Sequence, residues 1–378
     1  MQYRTYATSG EKISLLGFGT MRLPVVDKNE ALIDEAEAIR MMRHAIDKGV
    51  NYMDTAFMYH DGASEVVLGK ALKDGYREKV FIADKMPIWM AKKSGGIEAL
   101  FEEQLRRLDV DFIDFYLVHN LTRSLWQKSK NDNLMPFLER MKKEGRIGKI
   151  GFSFHDELEV FKEIIDDYPW EFCQIQLNYM DKDFQAGVAG LKYAGERGIP
   201  VVIMEPLKGS KLTNSLPETV AAIWERAEKK RTPAGWAFRW VADFPEVLTI
   251  LSGMGKMEEV DENIGILSEA EPESLTVREK DLIAEASAEY NKLIKASCTA
   301  CKYCLPCPKD INIPEIMDQY NQWHIYKAYR TSKREFDFLP RGKRPGDCID
   351  CKACEEQCPQ HLPVTDVMRE MDDLFRDK

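Results

Sequence analysis

The cysteines of this chain are concentrated near its C-terminal end. Of nine cysteines, eight lie between residues 298 and 358, in two runs that each end in Cys-Pro. Three thiolates spaced by two residues allow one tight turn to ligate three corners of an iron–sulfur cubane, and the Pro-followed cysteine usually ligates a second cluster. The spacing therefore predicts two [4Fe-4S] clusters with these ligands: Cys298, Cys301, Cys304, Cys307, Cys348, Cys351, Cys354 and Cys358.

The fourth cysteine of each run is expected to serve the cluster of the other run. This crossing assigns Cys358 to the first cluster and Cys307 to the second, although only two residues separate Cys307 from Cys304. Structural zinc is the alternative, but zinc sites usually use Cys-x2-Cys pairs, and a third cysteine is surplus to a tetrahedron. Disulfides fit less well, because the rest of the chain has the features of an intracellular protein.

The composition is that of a globular protein and argues against membrane proteins and nucleic-acid-binding proteins. The 378 residues are 44% apolar, which can fill a sizeable core, and no apolar run reaches membrane-spanning length. A net charge of −10 argues against a nucleic-acid partner. The N-terminus lacks the basic and then apolar pattern of a signal peptide, so we expect a cytoplasmic protein with no membrane partner.

From the start to about residue 270, short β-rich runs alternate with amphipathic helical stretches. A doubly wound sheet would also alternate, but no Gly-x-Gly-x-x-Gly follows an early strand, and eight units fit a (β/α)8 TIM barrel better. We therefore expect an α/β barrel over 1–272, a helical linker over 273–297 and a small, mostly helical ferredoxin-like domain over 298–378. The predicted strands are Ser14–Gly19, Val50–Asp54, Val80–Lys85, Phe112–His119, Lys149–Ser153, Phe172–Leu177, Pro200–Met204 and Val247–Leu251.

Active sites of such barrels lie at the C-terminal ends of the strands. Three predicted strands end there in ionisable residues, Asp54, Lys85 and His119, and Tyr59 follows the first of them closely. Asp54 and Lys85 could instead form a buried structural ion pair, which by itself is weak evidence for function. Four ionisable groups at neighbouring strand ends favour a catalytic site, and Trp89, Met90 and Trp126 are candidates to line its pocket.

The chain resembles the aldo-keto reductase family over about three quarters of its length. The resemblance rests on Gly17-Phe-Gly-Thr20, Asn51–Tyr59, Tyr116-Leu-Val-His119, Gly148–Ser153 and the segments that follow, and the whole looks like the subfamily with a C-terminal ferredoxin-like module. It implies that Asp54, Tyr59, Lys85 and His119 are a catalytic tetrad and that NAD(P)H is the cofactor. The implied cofactor contacts are Gly19, Thr20, Ser153, Gln174, Met204, Pro206, Leu207, Ser252, Gly253, Met254, Lys256, Glu262 and Asn263.

The reaction requires these residue types. Hydride delivery to a carbonyl carbon leaves negative charge on the oxygen, which needs a proton and hydrogen-bond donors. Tyr59 is the expected proton donor, Lys85 is expected to lower the phenol pKa, and His119 is expected to orient the carbonyl. The substrate is then a small carbonyl or alcohol.

Two positions depart from the family pattern. Phe154 follows Ser153 where many members have Asn, and Met204 stands where many have an aromatic residue against the nicotinamide. Gln174 and Gln176 point to one side of their strand, where they could hold the carboxamide or merely line a hydrated barrel. After Gly253, Lys256 stands alone among four acids, so NADH is as well supported as NADPH.

The two predicted halves differ in how they carry electrons. A nicotinamide exchanges two electrons as hydride, whereas a cluster passes one at a time, so coupling them requires a flavin or another intermediate carrier. No flavin motif is present, which leaves a flavin possible but unsupported. A basic patch, Lys333–Arg334 and Arg341–Arg344, is either solvated or a docking surface for a ferredoxin or another redox protein. The alternative function is an electron-transfer or binding module whose barrel is a scaffold and whose clusters serve a partner.

Overall fold

The computed structural model describes residues 1–6, 9–29, 31–214, 216–298, 303–358 and 360–376. Their contacts divide the chain into two compact units. The barrel unit contains Met1–Pro206 and Gly235–Thr276. The C-terminal unit contains Val277–Lys378 together with Leu207–Ala234, a segment from the middle of the chain.

The barrel is closed by eight parallel strands that follow one another around the wall in chain order, with the last strand pairing with the first. Each of the eight overlaps one predicted strand, with bounds that differ by a few residues, and the (β/α)8 fold is confirmed. A two-stranded antiparallel hairpin precedes the barrel and was not predicted. The strands are β1 (Tyr3–Thr5), β2 (Lys12–Ser14), β3 (Leu16–Gly19), β4 (Tyr52–Asp54), β5 (Phe81–Met86), β6 (Ile113–Leu121), β7 (Ile147–Phe154), β8 (Phe172–Gln176), β9 (Val201–Met204) and β10 (Val247–Gly253).

Helices follow the strands around the barrel and build most of the C-terminal unit. In chain order they are α1 (Glu35–Asp47), α2 (Ala63–Ala71), α3 (Ile97–Leu108), α4 (Arg123–Asn131), α5 (Leu134–Lys143), α6 (Leu158–Asp167), α7 (Gly187–Glu196), α8 (Lys211–Asn214), α9 (Glu218–Trp224), α10 (Pro233–Ala242), α11 (Met257–Ser268), α12 (Val277–Asn291), α13 (Ile313–Tyr326), α14 (Tyr329–Phe338), α15 (Ala353–Glu356) and α16 (Val364–Phe375).

Apolar side chains fill the inside of the barrel. Tyr52, Phe115 and Phe172 are fully buried in this core, and the Phe115 ring meets both of the others edge to face. Outside the barrel wall, α2 packs closely on α3 because Gly69 has no side chain. A Cβ atom at Gly69 would lie 2.5 Å from the carbonyl oxygen of Leu108. This close packing fixes the two helices behind β5.

The C-terminal unit has its own hydrophobic core. Residues of α13, α14 and α16 bury Ile316, Phe336 and Phe375, and cysteines of both runs pack against them. Aromatic residues between the two runs, Tyr320 and Phe336 among them, thus belong to this core. In the described part of the chain, no helix is long and apolar enough to span a membrane.

Candidate active site

Neighbouring strands of the barrel bring the four candidate catalytic residues to one end of it. Asp54 is the last residue of β4, Lys85 lies in β5 and His119 in β6. Tyr59 begins a 3-10 turn after β4, in which His60, Asp61 and Gly62 all have positive φ angles. This tight reversal returns the chain toward α2, and the Tyr59 ring lies 6.4 Å from the His119 ring, edge to face.

Lys85 is the centre of the cluster. Its ammonium nitrogen lies 2.6 Å from Asp54 Oδ1, 2.6 Å from the Thr55 carbonyl oxygen and 3.5 Å from the Tyr59 hydroxyl. Burial lowers the pKa of Lys85, but attraction to Asp54 and Tyr59 outweighs it, so the net shift is upward. Lys85 therefore stays charged, and it faces the Tyr59 hydroxyl with a proton-donating group.

The pKa of Tyr59 differs from the expectation. Burial raises it, and this effect exceeds the lowering caused by Lys85, so the net shift is upward. Lys85 lowers the pKa of Tyr59 as expected, but desolvation, which the expectation left out, raises it more. A raised pKa keeps the proton on Tyr59 at neutral pH, and a developing alkoxide is a strong enough base to accept it.

His119 is held as a neutral imidazole. Burial lowers its pKa well below the usual range, and the charges of Lys85 and His155 lower it further. Its Nδ1 atom is buried and has no hydrogen-bond partner among the described residues. The Trp89 ring lies 5.3 Å from the His119 ring, so Trp89 is at the pocket as expected. Trp126 is not in this pocket: it is buried on α4 against Trp170.

The residues expected near a nicotinamide ring are partly occupied by contacts within the protein. Ser153 Oγ accepts a hydrogen bond from the Asn120 N–H at 2.7 Å. Gln174 Nε2 lies 3.6 Å from the Met204 sulfur, while Gln174 Oε1 is buried without a partner in the described part of the chain. A buried amide oxygen in this state fits the N–H₂ group of a carboxamide, so the residues present are compatible with a nicotinamide.

Most of the remaining expected cofactor contacts follow the ends of β3 and β10, and Pro206 and Leu207 follow β9. Gly19 pairs with Gly253, and Asn263 Nδ2 donates to Ser252 Oγ at 3.1 Å. Thr20 Oγ1 donates to the Asp54 carbonyl oxygen at 3.0 Å. Met254 is buried, whereas Lys256 and Glu262 are exposed. Pro206 is the last residue of its segment in the barrel unit, and Leu207 begins the segment that belongs to the C-terminal unit.

The start of α11 carries a carboxylate of its own. Glu259 Oε2 accepts a hydrogen bond from the Gly255 N–H at 2.8 Å. N–H groups at a helix start are the usual binding partners of phosphate groups. Glu259 therefore occupies the N–H of Gly255, two residues before α11, and adds negative charge to the start of this helix.

A cavity of about 310 Å³ in the C-terminal unit is lined by cysteines of both runs. Cys307 lies there with Cys348, Cys351 and Cys354, and Cys304 also contributes to the wall. Cys298 and Cys358 are not part of this wall, although Cys298 packs against the same hydrophobic core. Cys301 lies outside the described residues. Within the described ranges, no three Cys, His or carboxylate side chains form a site for a single metal ion. A space with thiols on several sides suits a larger group.

Most of the basic patch is bound within the protein. Lys333 pairs with Asp337 at 2.6 Å, and Arg344 donates to the carbonyl oxygens of Leu339 and Asp337. Lys343 lies 3.5 Å from Asp310. These intramolecular contacts engage three of the five basic side chains of the patch.

A buried polar network behind Lys85 was missed. It includes Glu65, Asp84, Gln104 and Arg107, which lie between the barrel wall and helices α2 and α3. Asp84 was visible beside Lys85 in the sequence, but its partners come from helices whose register sequence patterns do not fix.

Comparisons with known proteins agree with this geometry. A model of the aldo/keto reductase family matches residues 15–276, and a model of the 4Fe-4S dicluster domain matches residues 297–362. The chain is 28% identical over 309 residues to "Probable aldo-keto reductase 1" of Glycine max, covering 73% of this chain and 85% of that protein.

Solved structures are similar to the barrel. The holo form of aldo-keto reductase AKR11C1 from Bacillus halodurans is 27% identical with a TM-score of 0.63, covering 76% of this chain and 96% of that one. The aldo-keto reductase from Klebsiella pneumoniae in complex with NADPH is 23% identical with a TM-score of 0.59, covering 75% and 95%. At that identity the second structure supports the fold alone.

Proposed function

This chain belongs to the aldo/keto reductase family and carries a C-terminal 4Fe-4S domain, and on that basis we propose that it reduces a small carbonyl, or oxidises the corresponding alcohol, with Tyr59 as general acid. The observation that carries this proposal is the position of the Lys85 ammonium, which contacts Asp54 and the Tyr59 hydroxyl together. A structural ion pair would need only the first of these contacts.

Each member of the tetrad has a separate task in this reaction. A bound nicotinamide supplies the hydride. Tyr59 holds a proton at its hydroxyl and gives it to the carbonyl oxygen as negative charge develops there. The Lys85 ammonium stabilises the phenolate that remains, and Asp54 keeps Lys85 charged and in place. Neutral His119 donates a hydrogen bond that orients the carbonyl oxygen.

The cofactor is proposed to be held by Gln174 and Ser153 at its carboxamide and by the ends of β3 and β10 at its phosphates. The unpartnered Gln174 oxygen supports the first contact. Glu259 at the Gly255 N–H weakens the case for an extra phosphate, so NADH and NADPH both stay candidates.

Anaerobically purified protein tests the proposal. Oxidation of NADH and of NADPH is followed separately with a panel of small aldehydes, and each cofactor is titrated by fluorescence. Turnover with one cofactor that is lost in Tyr59→Phe supports the proposal. Cofactor binding without any turnover across the panel would reject the reductase function.

For the C-terminal unit, we propose two [4Fe-4S] clusters that transfer electrons to or from a redox protein such as a ferredoxin. Clusters of this kind supply one-electron transfer. The shared wall of Cys304 and Cys307 with Cys348, Cys351 and Cys354 supports two clusters placed close together. Proximity serves a relay, whereas a single cluster would suffice as a structural staple.

This second proposal has its own test. The protein is reduced without oxygen and mixed with an oxidised ferredoxin, an aldehyde or NAD(P)⁺, while the cluster absorbance is followed. We expect the absorbance to change with at least one acceptor. If the clusters keep one oxidation state with every acceptor, their role is structural.

A further inference from the structure

Lys85 is backed by a second set of buried polar groups that the proposed reaction does not use. Asp84 precedes Lys85 in β5, so its side chain leaves the opposite face of the strand. There it meets Gln104 of α3 and Glu65 of α2. Asp84, Glu65 and Gln104 are all fully buried. The barrel wall thus separates the catalytic ammonium from a carboxyl pair.

Asp84 and Gln104 together hold the backbone of Lys85. Asp84 Oδ1 accepts the Lys85 N–H at 2.8 Å. Gln104 Nε2 donates to Asp84 Oδ2 at 2.9 Å and to the Lys85 carbonyl oxygen at 3.0 Å. The Tyr116 hydroxyl donates in turn to Gln104 Oε1, which fixes the orientation of that amide. The N–H and the carbonyl oxygen of Lys85 are therefore both hydrogen-bonded to the linked side chains of Asp84 and Gln104.

The charges around Glu65 and Asp84 do not balance if both carboxyl groups are ionised. Arg107 is the cation in contact with Glu65, at 2.8 Å, and it also pairs with Glu103 at 2.8 Å. Lys85 is bound to Asp54 on the other face of the strand. Glu65 Oε1 is buried and has no hydrogen-bond partner among the described residues. When a carboxyl oxygen without a hydrogen-bond partner lies beside a second carboxyl group, one proton allows a hydrogen bond between the two groups and removes the repulsion between their charges.

We propose that Glu65 and Asp84 share one proton and, with Gln104, act as a positioning device for Lys85. The shared proton gives Glu65 Oε1 its missing partner. It also allows Asp84 to hold the Lys85 backbone without placing a second full negative charge next to the ammonium. The role in catalysis rests on the proposed reductase function, whereas the shared proton does not.

The surrounding groups are consistent with this arrangement. Burial raises the pKa of Asp84 well above its usual range, and the nearby Glu65 raises it further. Burial also raises the pKa of Glu65, against the opposing effect of Arg107. The other ionisable groups that face the pair are Lys85 in β5, Tyr116 in β6 and Glu103 in α3, with Asp54 and Tyr59 beyond the barrel wall.

Infrared difference spectroscopy tests the shared proton. A protonated carboxylic acid has a C=O stretch that a carboxylate lacks, so wild-type protein at pH 7 should show this band. Glu65→Gln and Asp84→Asn should each remove it, because each leaves a single carboxylate that is satisfied by an amide or by Arg107. Glu103→Gln is the matched control, since Glu103 also binds Arg107 but has a pKa lowered to about 2. That variant should keep the band.

A band that is absent from the wild type, or that survives in both Glu65→Gln and Asp84→Asn, would overturn the shared proton. This result does not depend on turnover. Failure of the reductase proposal therefore leaves the spectroscopic test intact.

Kinetics tests the positioning role. Asp84→Ala removes the acceptor for the Lys85 N–H, and we expect kcat to fall about a hundredfold with the KM for the cofactor unchanged, as for a displaced catalytic group. Asp84→Asn keeps an acceptor oxygen and supplies hydrogens for Glu65, so it should recover most of that loss. Gln104→Met, which removes both bridging donors at similar length, should lower kcat in the same way if Asp84→Ala does not fold. Equal kcat values for the Ala and Asn variants would overturn the positioning role.

Discussion

At the residue scale, the site depends on one ammonium group that contacts three oxygen atoms. Lys85 is fully buried, and its contacts join a carboxylate, a backbone carbonyl and a phenol. A charge in such surroundings is stable only while its partners remain in place. Changes to Tyr59 and to the Asp54–Lys85 pair should therefore have different consequences, the first for catalysis and the second for catalysis and stability.

Tyr59→Phe removes a proton donor and little volume. We expect kcat for carbonyl reduction to fall by about 10²–10⁴-fold, the usual contribution of general acid catalysis. Cofactor affinity should stay nearly unchanged, because the hydroxyl contacts Lys85 rather than the expected cofactor residues. Steady-state kinetics and a fluorescence titration measure the two quantities. Retention of more than about a tenth of the wild-type kcat would show that Tyr59 is not the general acid.

Lys85→Met leaves Asp54 as an unpaired buried charge. Removing one partner of a buried ion pair typically costs about 3–5 kcal/mol, so the free energy of unfolding should fall by that order. The double variant Asp54→Asn with Lys85→Met restores electrical neutrality and should recover part of the stability, but none of the activity. Urea unfolding followed by circular dichroism, together with turnover assays, measures both. If the double variant is no more stable than Lys85→Met, the loss does not come from an uncompensated charge.

At the scale of elements, the start of α11 is where this chain is expected to discriminate between cofactors. Three residues determine its charge: Lys256 precedes the helix, and Glu258 and Glu259 lie in its first turn. Only Glu259 of these acids binds the Gly255 N–H. A negative charge at this position should act against a 2′-phosphate more than against a free hydroxyl.

Glu259→Gln removes that charge and keeps a hydrogen-bond acceptor. We expect the KM for NADPH to fall by about two- to fivefold, in line with the energy of one charge at a helix terminus, and the KM for NADH to change less. Glu258→Gln is the matched control, because it lies in the same turn without the contact to Gly255. Equal effects of the two variants on NADPH would indicate general electrostatics rather than a specific contact.

The sequence predicted the elements far better than the contacts between them. The strand ends were predictable because β-rich runs and amphipathic runs differ in period, and the ends carry Asp54, Lys85 and His119. Short elements without a clear apolar period, such as β1, β2 and α2, were missed. The network of Glu65, Asp84 and Gln104 could not be predicted, since it depends on how α2 and α3 pack on β5. The net shift of the Tyr59 pKa could not be predicted for a related reason, because the burial that raises it is a property of the folded chain.

At the scale of the whole molecule, the cysteine runs predict the iron content and which cysteines ligate each cluster. Anaerobic protein should contain about eight iron atoms per chain, as expected for two cubanes. Cys307→Ala should disturb the same cluster as Cys351→Ala and leave the other one intact, because the Pro-followed cysteine of each run is expected to ligate the cluster of the other run. Electron paramagnetic resonance of the reduced protein distinguishes the two cluster signals. A content of about four iron atoms per chain would contradict the prediction of two clusters. If Cys307→Ala changed the same cluster signal as Cys298→Ala, the predicted crossing of ligands would be wrong.

The segment Leu207–Ala234 is synthesised between β9 and β10 but belongs to the C-terminal unit. During translation it therefore emerges before Val277–Lys378, the rest of its unit, and cannot complete its packing until Gly235–Thr276 of the barrel has also been made. Lys211 shows the dependence directly, since its ammonium is buried against Glu335 of α14, 2.9 Å away. The iron–sulfur part is consequently not a cassette that can be cut off at the end of the barrel. A gene shortened before Val277 would encode a barrel in which the segment Leu207–Ala234 has lost the rest of its unit.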